Sequence, residues 1–344
     1  MRVFCDWLSI YQEHMTGGLP LLNGGHIVAI DSDGSIDWQT CATFEHVGSY
    51  DSKIRLSCDG RRVRLQGNVG RFNRPDNVFG YTVLECVRIA NEILAGFGLP
   101  PFDVSKGFLT ADDGHLCGGA VITRVDLTCN FATGSAANCE STINWSAGQK
   151  LKTKEPRSYG VAGVTWGEGS KFWYSKGYDK ARDYLRLHPV GSKNHNNDLY
   201  SWLRDSGIWR LELGLKSRFL KQNNLWRLAS WVSKIGNESV ECAVFRVFLD
   251  DLIGGVVFMD DLLNIPGRAG ELAVAWRDGA DLRKRLERRT YYRYRKELLQ
   301  YGIDIAVPSR AERVHTQVKL VDLRPAVVPT FYQMPVVQPW RIAA

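Results

Sequence analysis

Alternation of apolar and polar residues dominates the first part of the chain. HIVAID (26–31) and SIDWQT (35–40) flank Ser32-Asp33-Gly34, and KIRLSC (53–58) and RVRLQG (62–67) flank Asp59-Gly60-Arg61. Period-two runs on either side of an Asp-Gly turn predict two β-hairpins. The stretch opened by DNVFGYT (76–82) and ending near Gly96 carries Val83, Val87, Ile89 and Ile93 at helical spacings, which predicts a helix with Asp76 or Asn77 as N-cap. Further on, residues 120–134 read as a strand, 135–149 as a helix, 163–186 as a hairpin running into a helix, and 197–220 as a helix followed by a strand from about Ile208. Strands in hairpins with interspersed helices, without regular βαβ alternation, predict an α+β fold: an antiparallel or mixed sheet core with flanking helices.

After about residue 235 the texture becomes mostly helical, ending in a strand-like VKLVDLR (318–324) and a Pro-rich tail. This places a boundary between residues 1–235 and 236–344, the latter a mostly helical, basic C-terminal lobe. The most apolar stretch, residues 242–263, is cut by Arg246, Asp250, Asp251, Asp260 and Asp261, so buried helix and turn are expected rather than a bilayer span. Within the lobe, residues 281–297 hold eight Lys/Arg against three acids, with Tyr291, Tyr292 and Tyr294 interleaved. Two readings stand side by side there: cations and rings forming a nucleic-acid surface, or a solvated helix face whose tyrosines pack inward.

Charge and cysteine usage narrow the class only a little. The 344 residues carry 44 Lys+Arg against 37 Asp+Glu, a net +7, which permits a polyanionic partner without requiring one. The eight cysteines contain no CxxC pair, and several sit in apolar runs, so buried free thiols in a reducing cytoplasm are expected. The N-terminus has Asp6 inside its apolar stretch and no cleavage pattern, against a secretory signal. HxH, HExxH, GxSxG and GxxxxGK[ST] are absent, against a zinc hydrolase, an α/β-hydrolase or a P-loop protein.

Three segments carry the candidate chemistry. Along a strand, alternate residues share a face. In Thr123–Thr128, Arg124, Asp126 and Thr128 oppose Val125 and Leu127. In Arg210–Lys216, Arg210, Glu212 and Lys216 oppose Leu211, Leu213 and Leu215. Two carboxylates on such faces suit Mg²⁺ or Mn²⁺ through oxygen ligands; taken singly, each strand also reads as an Arg–carboxylate ion pair on a half-exposed sheet. In KFWYSKGYDK (171–180), an extended backbone would align Tyr174, Lys176, Tyr178 and Lys180. Ammonium groups beside a phenol stabilise its phenolate and favour attack on phosphorus.

Taken in order, TRVDLT, Tyr-Asp-Lys some fifty residues later, and RLELGLKSRFL resemble the core of the filamentous-phage gene II replication initiators, which are rolling-circle nickases. DNVFGYTVLEC (76–86), GVTWGEGS (163–170) and YYRYRKELLQYGID (291–304) extend the likeness over roughly residues 48–325. The resemblance implies that Tyr178 is the nucleophile, with Lys180 completing its Tyr-x-Lys motif. Tyr174-Ser175-Lys176 is a second such motif. Asp126 and Glu212 would be the Arg-x-Asp and Arg-x-Glu acids that hold a divalent metal, with Lys176, Lys180 and Arg124 as electrostatic helpers. It also implies phage origin DNA as substrate, a host helicase and DNA polymerase as partners, and a place in the bacterial cytoplasm without membrane contact. The His-hydrophobic-His metal motif of many rolling-circle nickases is missing. His46 is the histidine that stands nearest to filling that role, with a hydrogen-bonded structural histidine as the other reading. Two other classes are consistent with the residues alone: a non-catalytic, repressor-like DNA-binding protein, and a carbohydrate-binding protein suggested by the 11 tryptophans.

Overall fold

Period-two alternation becomes one antiparallel sheet. In this computed structural model, which describes residues 1–105, 108–109, 116–254, 265–299, 305–306 and 323–337, the longer strands are β1 (Phe4–Glu13), β2 (Lys53–Asp59), β3 (Arg62–Gly67), β4 (Val121–Ala132), β5 (Val164–Trp166), β6 (Trp173–Asp179) and β7 (Ile208–Lys216). They lie in the order β5-β6-β7-β4-β1-β3-β2, each antiparallel to its neighbours. Short strands extend this sheet beyond β5 and β2 and along the end of β4. The expected hairpins form at both Asp-Gly turns, and the architecture is α+β as the patterning predicts.

One face of the sheet is core. Leu8, Leu56, Leu65, Val125, Leu127, Leu211, Leu213 and Leu215 are buried almost completely, each stabilising the fold by roughly 1.5–3 kcal/mol relative to an exposed side chain. The N-terminal strand β1 is the element least visible beforehand. It lies between β4 and β3, and its alternation breaks at Asp6, where the register with β4 shifts between Cys5 and Trp7.

The longer helices are α1 (Val83–Gly96), α2 (Ala136–Ser146), α3 (Lys180–Leu187), α4 (Asn197–Asp205), α5 (Val240–Gly254), α6 (Gly267–Arg277), the short α7 (Leu282–Arg285) and α8 (Arg288–Leu299). The α1 cap differs from expectation. Thr82 is the N-cap, in a capping box with Glu85, because the pair satisfies two otherwise orphaned N–H groups reciprocally. Asp76 instead accepts from Val78 N at 2.9 Å and from the Tyr332 hydroxyl at 2.5 Å, while the Asn77 side chain turns toward Asp6 and Lys180.

The chain divides into two compact units: residues 1–148, 154–247 and 323–344 in one, and 149–153 with 248–322 in the other. The C-terminal stretch thus belongs with the sheet. Ala326 N donates to the Asn130 carbonyl, Arg74 and Asp76 both bond the Tyr332 hydroxyl, and the Tyr81 hydroxyl donates to the Pro335 carbonyl. Most of the strand-like 318–324 lies outside the described residues. In the second unit, Ile265, Ala269, Ala273, Leu282, Tyr291, Tyr294 and Leu298 form a separate core. Tyr291 and Tyr294 therefore pack inward, and Tyr292 alone of the three is exposed, among exposed Arg288, Arg289, Arg293 and Lys296. Cys5, Cys58, Cys86, Cys129 and Cys139 are buried free thiols. No helix of the described residues is long and apolar enough to cross a membrane.

Candidate active site

Register brings the three chemical segments together. Across β6, β7 and β4, Tyr174 stands opposite Gly214 and Asp126, Lys176 opposite Glu212 and Thr128, and Tyr178 opposite Arg210 and Asn130. Since alternate residues share a face, all of them rise from the polar side of the sheet. The Tyr178 hydroxyl donates to Glu212 Oε1 at 2.5 Å, and Lys176 Nζ lies 2.9 Å from Glu212 Oε2. A second pair sits one row along. The Tyr174 hydroxyl donates to Asp126 Oδ2 at 3.2 Å, while Arg124 holds both Asp126 oxygens, at 2.9 and 2.6 Å, and also donates to the Tyr174 oxygen. Asp126 and Glu212 are buried, whereas both tyrosines are half-buried.

Gly214 makes the second pair possible. A Cβ there would come within 2.1 Å of the Tyr174 ring and 3.0 Å of Asp126 Oδ1, so only glycine lets the ring lie across β7.

Lys180 departs from the aligned row. Strand β6 ends at Asp179, whose carboxylate accepts from Ala181 N and Arg182 N and so caps α3. Lys180 is consequently the first helical residue. Its ammonium is buried at 1% exposure and bonds Asp183 Oδ2 at 2.8 Å and Asn77 Oδ1 at 3.0 Å. Burial, with the Arg210 charge, lowers its pKa to about 8 despite Asp183.

Arg210 is wholly buried. It donates to the Asn130 side chain and to the carbonyls of Asn77 and Val78, tying β7 to the loop that also reaches Lys180. Rather than pairing with Glu212, as a simple Arg-x-Glu ion pair would, it holds backbone.

Electrostatics of the phenols run opposite to the expected phenolate stabilisation. Burial, reinforced by Glu212, pushes the Tyr178 pKa well above its ordinary value against the pull of Arg210. Burial and Asp126 push Tyr174 up to about 12. Both phenols keep their protons at neutral pH, so reaction of either needs a proton acceptor.

Asp6 is the participant that sequence patterning missed. Its Oδ1 accepts from Asn68 Nδ2 at 3.0 Å and Asn77 Nδ2 at 2.9 Å, and its charge acts on Lys176, Tyr178, Lys180 and Arg210. Its one local signal is an acid inside an apolar stretch, and a β1 bulge carries it to the site. His46 is elsewhere, between the rings of Phe72 and Phe97 on the strand beyond β2. Trp166, Trp209 and Trp231 are core residues, so these three offer no aromatic face to a sugar.

Among the described residues no group of three His, Cys, Asp or Glu is gathered as a metal centre. The donors present are nonetheless hard oxygens: Asp126 and Glu212 in adjacent rows, and the buried Thr128 hydroxyl opposite Glu212, whose oxygen has no hydrogen-bond partner among the described residues. One or two carboxylates suffice for Mg²⁺, which keeps waters and takes substrate phosphate oxygens for the rest. The donor chemistry fits such an ion.

Comparison with known proteins identifies the family. The family model for the N-terminal part of the phage replication-associated protein, the gene II product, matches residues 5–234, and the model for its C-terminal part matches residues 268–338. The chain is 26% identical over 348 aligned positions to the replication-associated protein of Enterobacteria phage I2-2, covering 93% of this chain and 96% of that protein. It is 27% identical over 323 positions to the protein of the same name from Escherichia phage If1, covering 82% of this chain and 98% of that one. With the N-terminal match alone spanning every strand of the polar site, the chain belongs to the gene II family of phage replication-associated proteins.

Proposed function

We infer that this replication protein nicks one strand of its phage origin through a covalent phosphotyrosine and thereby starts rolling-circle replication. The observation that carries the reading is the short Tyr178–Glu212 hydrogen bond, with Lys176 on the other carboxylate oxygen. Tyr178 Oη attacks the scissile phosphorus as its proton passes to Glu212. The P–O3′ bond breaks, leaving a 5′-phosphotyrosyl link and a 3′ oxygen that takes a proton from water. Tyr178 is preferred to Tyr174 because the acid beside Tyr174 is already held in both oxygens by Arg124, which makes it the poorer proton acceptor.

Asp126 and Glu212 would hold Mg²⁺ or Mn²⁺, which supplies Lewis-acid polarisation of the phosphate. Lys176 and Arg124 place positive charge over the site, and Lys180 sets the charge behind it. The phosphotyrosyl bond conserves the energy needed for a later attack by a 3′-OH, so a circle closes without ATP. The free 3′-OH is a primer for a host polymerase while a host helicase unwinds the parent. Exposed basic residues of α8 grip duplex DNA, and that grip weakens as salt rises.

The test mixes supercoiled origin plasmid, Mg²⁺ and protein. Wild type should relax the plasmid and remain attached to a 5′ end, Tyr178→Phe should do neither, and chelation should stop the reaction. Cleavage that survives in Tyr178→Phe and disappears in Tyr174→Phe moves the nucleophile. A gel shift with the plasmid left supercoiled would leave only a DNA-binding, repressor-like protein.

A further inference from the structure

The polar face does not stop at the tyrosines. Following register across the sheet, Lys216 of β7 stands opposite Arg124 of β4, Arg124 opposite Ser9 of β1, Ser9 opposite Gln66 of β3, and Gln66 opposite Arg55 of β2. A parallel row runs Tyr11–Arg64–Ser57, and Trp7 stands opposite Asp126 at the near end. While the other face of these strands is core, Ser9, Tyr11, Ser57 and Gln66 are half-exposed and Arg55 and Arg64 are exposed. A cleft of about 380 Å³ opens here, lined among others by Tyr11, Arg55, Arg62, Arg64 and Gln66.

The composition of this row points to a ligand class. The Arg124 guanidinium lies over the Trp7 ring at 5.1 Å and that of Arg62 over Tyr11 at 5.2 Å. Arg64 has no ion-pair or hydrogen-bond partner among the described residues, and Arg55 has only a 3.4 Å surface contact with Glu45. Cations that reach phosphates, alternating with aromatic rings and amide groups that meet bases, are the pattern of a single-stranded nucleic-acid track. Five strands at the ~4.8 Å sheet spacing make the row about 19 Å long. At the ~3.4 Å rise of a stacked strand that is about six nucleotides, fewer if extended.

We propose that the sheet face from Trp7 and Arg124 to Arg64 and Arg55 binds the single strand that flanks the scissile phosphate, leading it to Tyr178. This rests on the nicking reading for its direction, although not for its existence. Arg64 of the β2–β3 hairpin thereby serves the unpaired strand.

The experiment uses the full chain carrying Tyr178→Phe, so that no cleavage intervenes, with chelator present. Fluorescence anisotropy reads its binding to labelled oligothymidine of about twelve nucleotides, twice the row's capacity, and to a duplex of equal length, between about 50 and 200 mM salt. Arg64→Ala and Arg55→Ala, both at exposed positions, should each weaken oligothymidine binding about tenfold and reduce the salt slope by roughly 0.7. Duplex binding should change less than about twofold under the same changes. Unchanged single-strand affinity and slope in both variants overturn the track, as does an equal loss for duplex. If wild type fails to nick origin plasmid while the arginine dependence holds, the nicking reading falls and the track stands. If wild type nicks and the arginines are silent, the reverse follows.

Discussion

The Tyr178 hydroxyl and the Glu212 carboxylate are 2.5 Å apart, on neighbouring strands whose register sets them two residues out of line. Lys176, directly opposite Glu212, holds the second carboxylate oxygen. A buried acid that accepts the phenol's hydrogen bond is positioned to take its proton in the proposed reaction, since the Tyr178 pKa is driven upward.

Glu212→Gln keeps the shape of that contact and loses the base. Origin nicking should fall about 10²–10⁴-fold, the usual contribution of a positioned base. Affinity for uncleaved DNA in chelator should hold or rise, because one negative charge is removed from the polar face. Single-turnover nicking alongside anisotropy checks both. A variant that nicks at the wild-type rate removes Glu212 from the chemistry.

Gly214→Ala tests the packing of the second tyrosine. The new methyl would meet the Tyr174 ring and Asp126, so the ring must leave its place over β7 at a cost of about 1–3 kcal/mol. Urea unfolding should show that loss, and combination with Tyr174→Ala should recover most of it. Full additivity of the two changes would mean that the ring was not the obstacle.

Arg210→Met should be among the most destabilising single changes in the sheet. It leaves Asn130 Oδ1 and the Asn77 carbonyl without their buried donor and the Val78 carbonyl with the Asn130 amide alone, an expected loss of about 1–3 kcal/mol for each orphaned acceptor. Arg210→Lys should recover only part, since one ammonium cannot span the acceptors that a guanidinium fork reaches. Denaturant midpoints at constant slope give the measurement.

Acid stability should report the Lys180–Asp183 pair. Burial alone would raise the Asp183 pKa, but Lys180, with help from Arg186 and Arg210, holds it at about 2 against an ordinary 3.8. A depressed carboxylate contributes stability that is complete above its unfolded value and lost as pH falls through the folded one. Wild type should therefore lose about 2 kcal/mol from this group between roughly pH 4 and pH 2. Asp183→Asn should lack that component and be less stable at neutral pH. An unaltered pH profile in the variant would show that the pair carries no linkage.

Much of this protein was legible in its residues. Asp-Gly turns between alternating runs specify hairpins locally, because the turn geometry is decided by two residues. The order of TRVDLT, Tyr-Asp-Lys and RLELGLK was enough to recognise the family, and alternation told which residues of each strand share a side. What alternation could not supply was register, since pairing between strands far apart in sequence depends on how their apolar faces pack. Register made Glu212 the partner of Tyr178 and Lys176, brought Asp126 beside Tyr174, and carried Arg210 to the Asn77–Val78 backbone. Lys180 left its expected row because Asp179 caps a helix, and Asp6 entered the site through a bulge. The sequence alone determined the elements and the chemical alphabet. Tertiary packing decided the pairings, because a charge or a phenol acquires its role only from the groups that burial places around it.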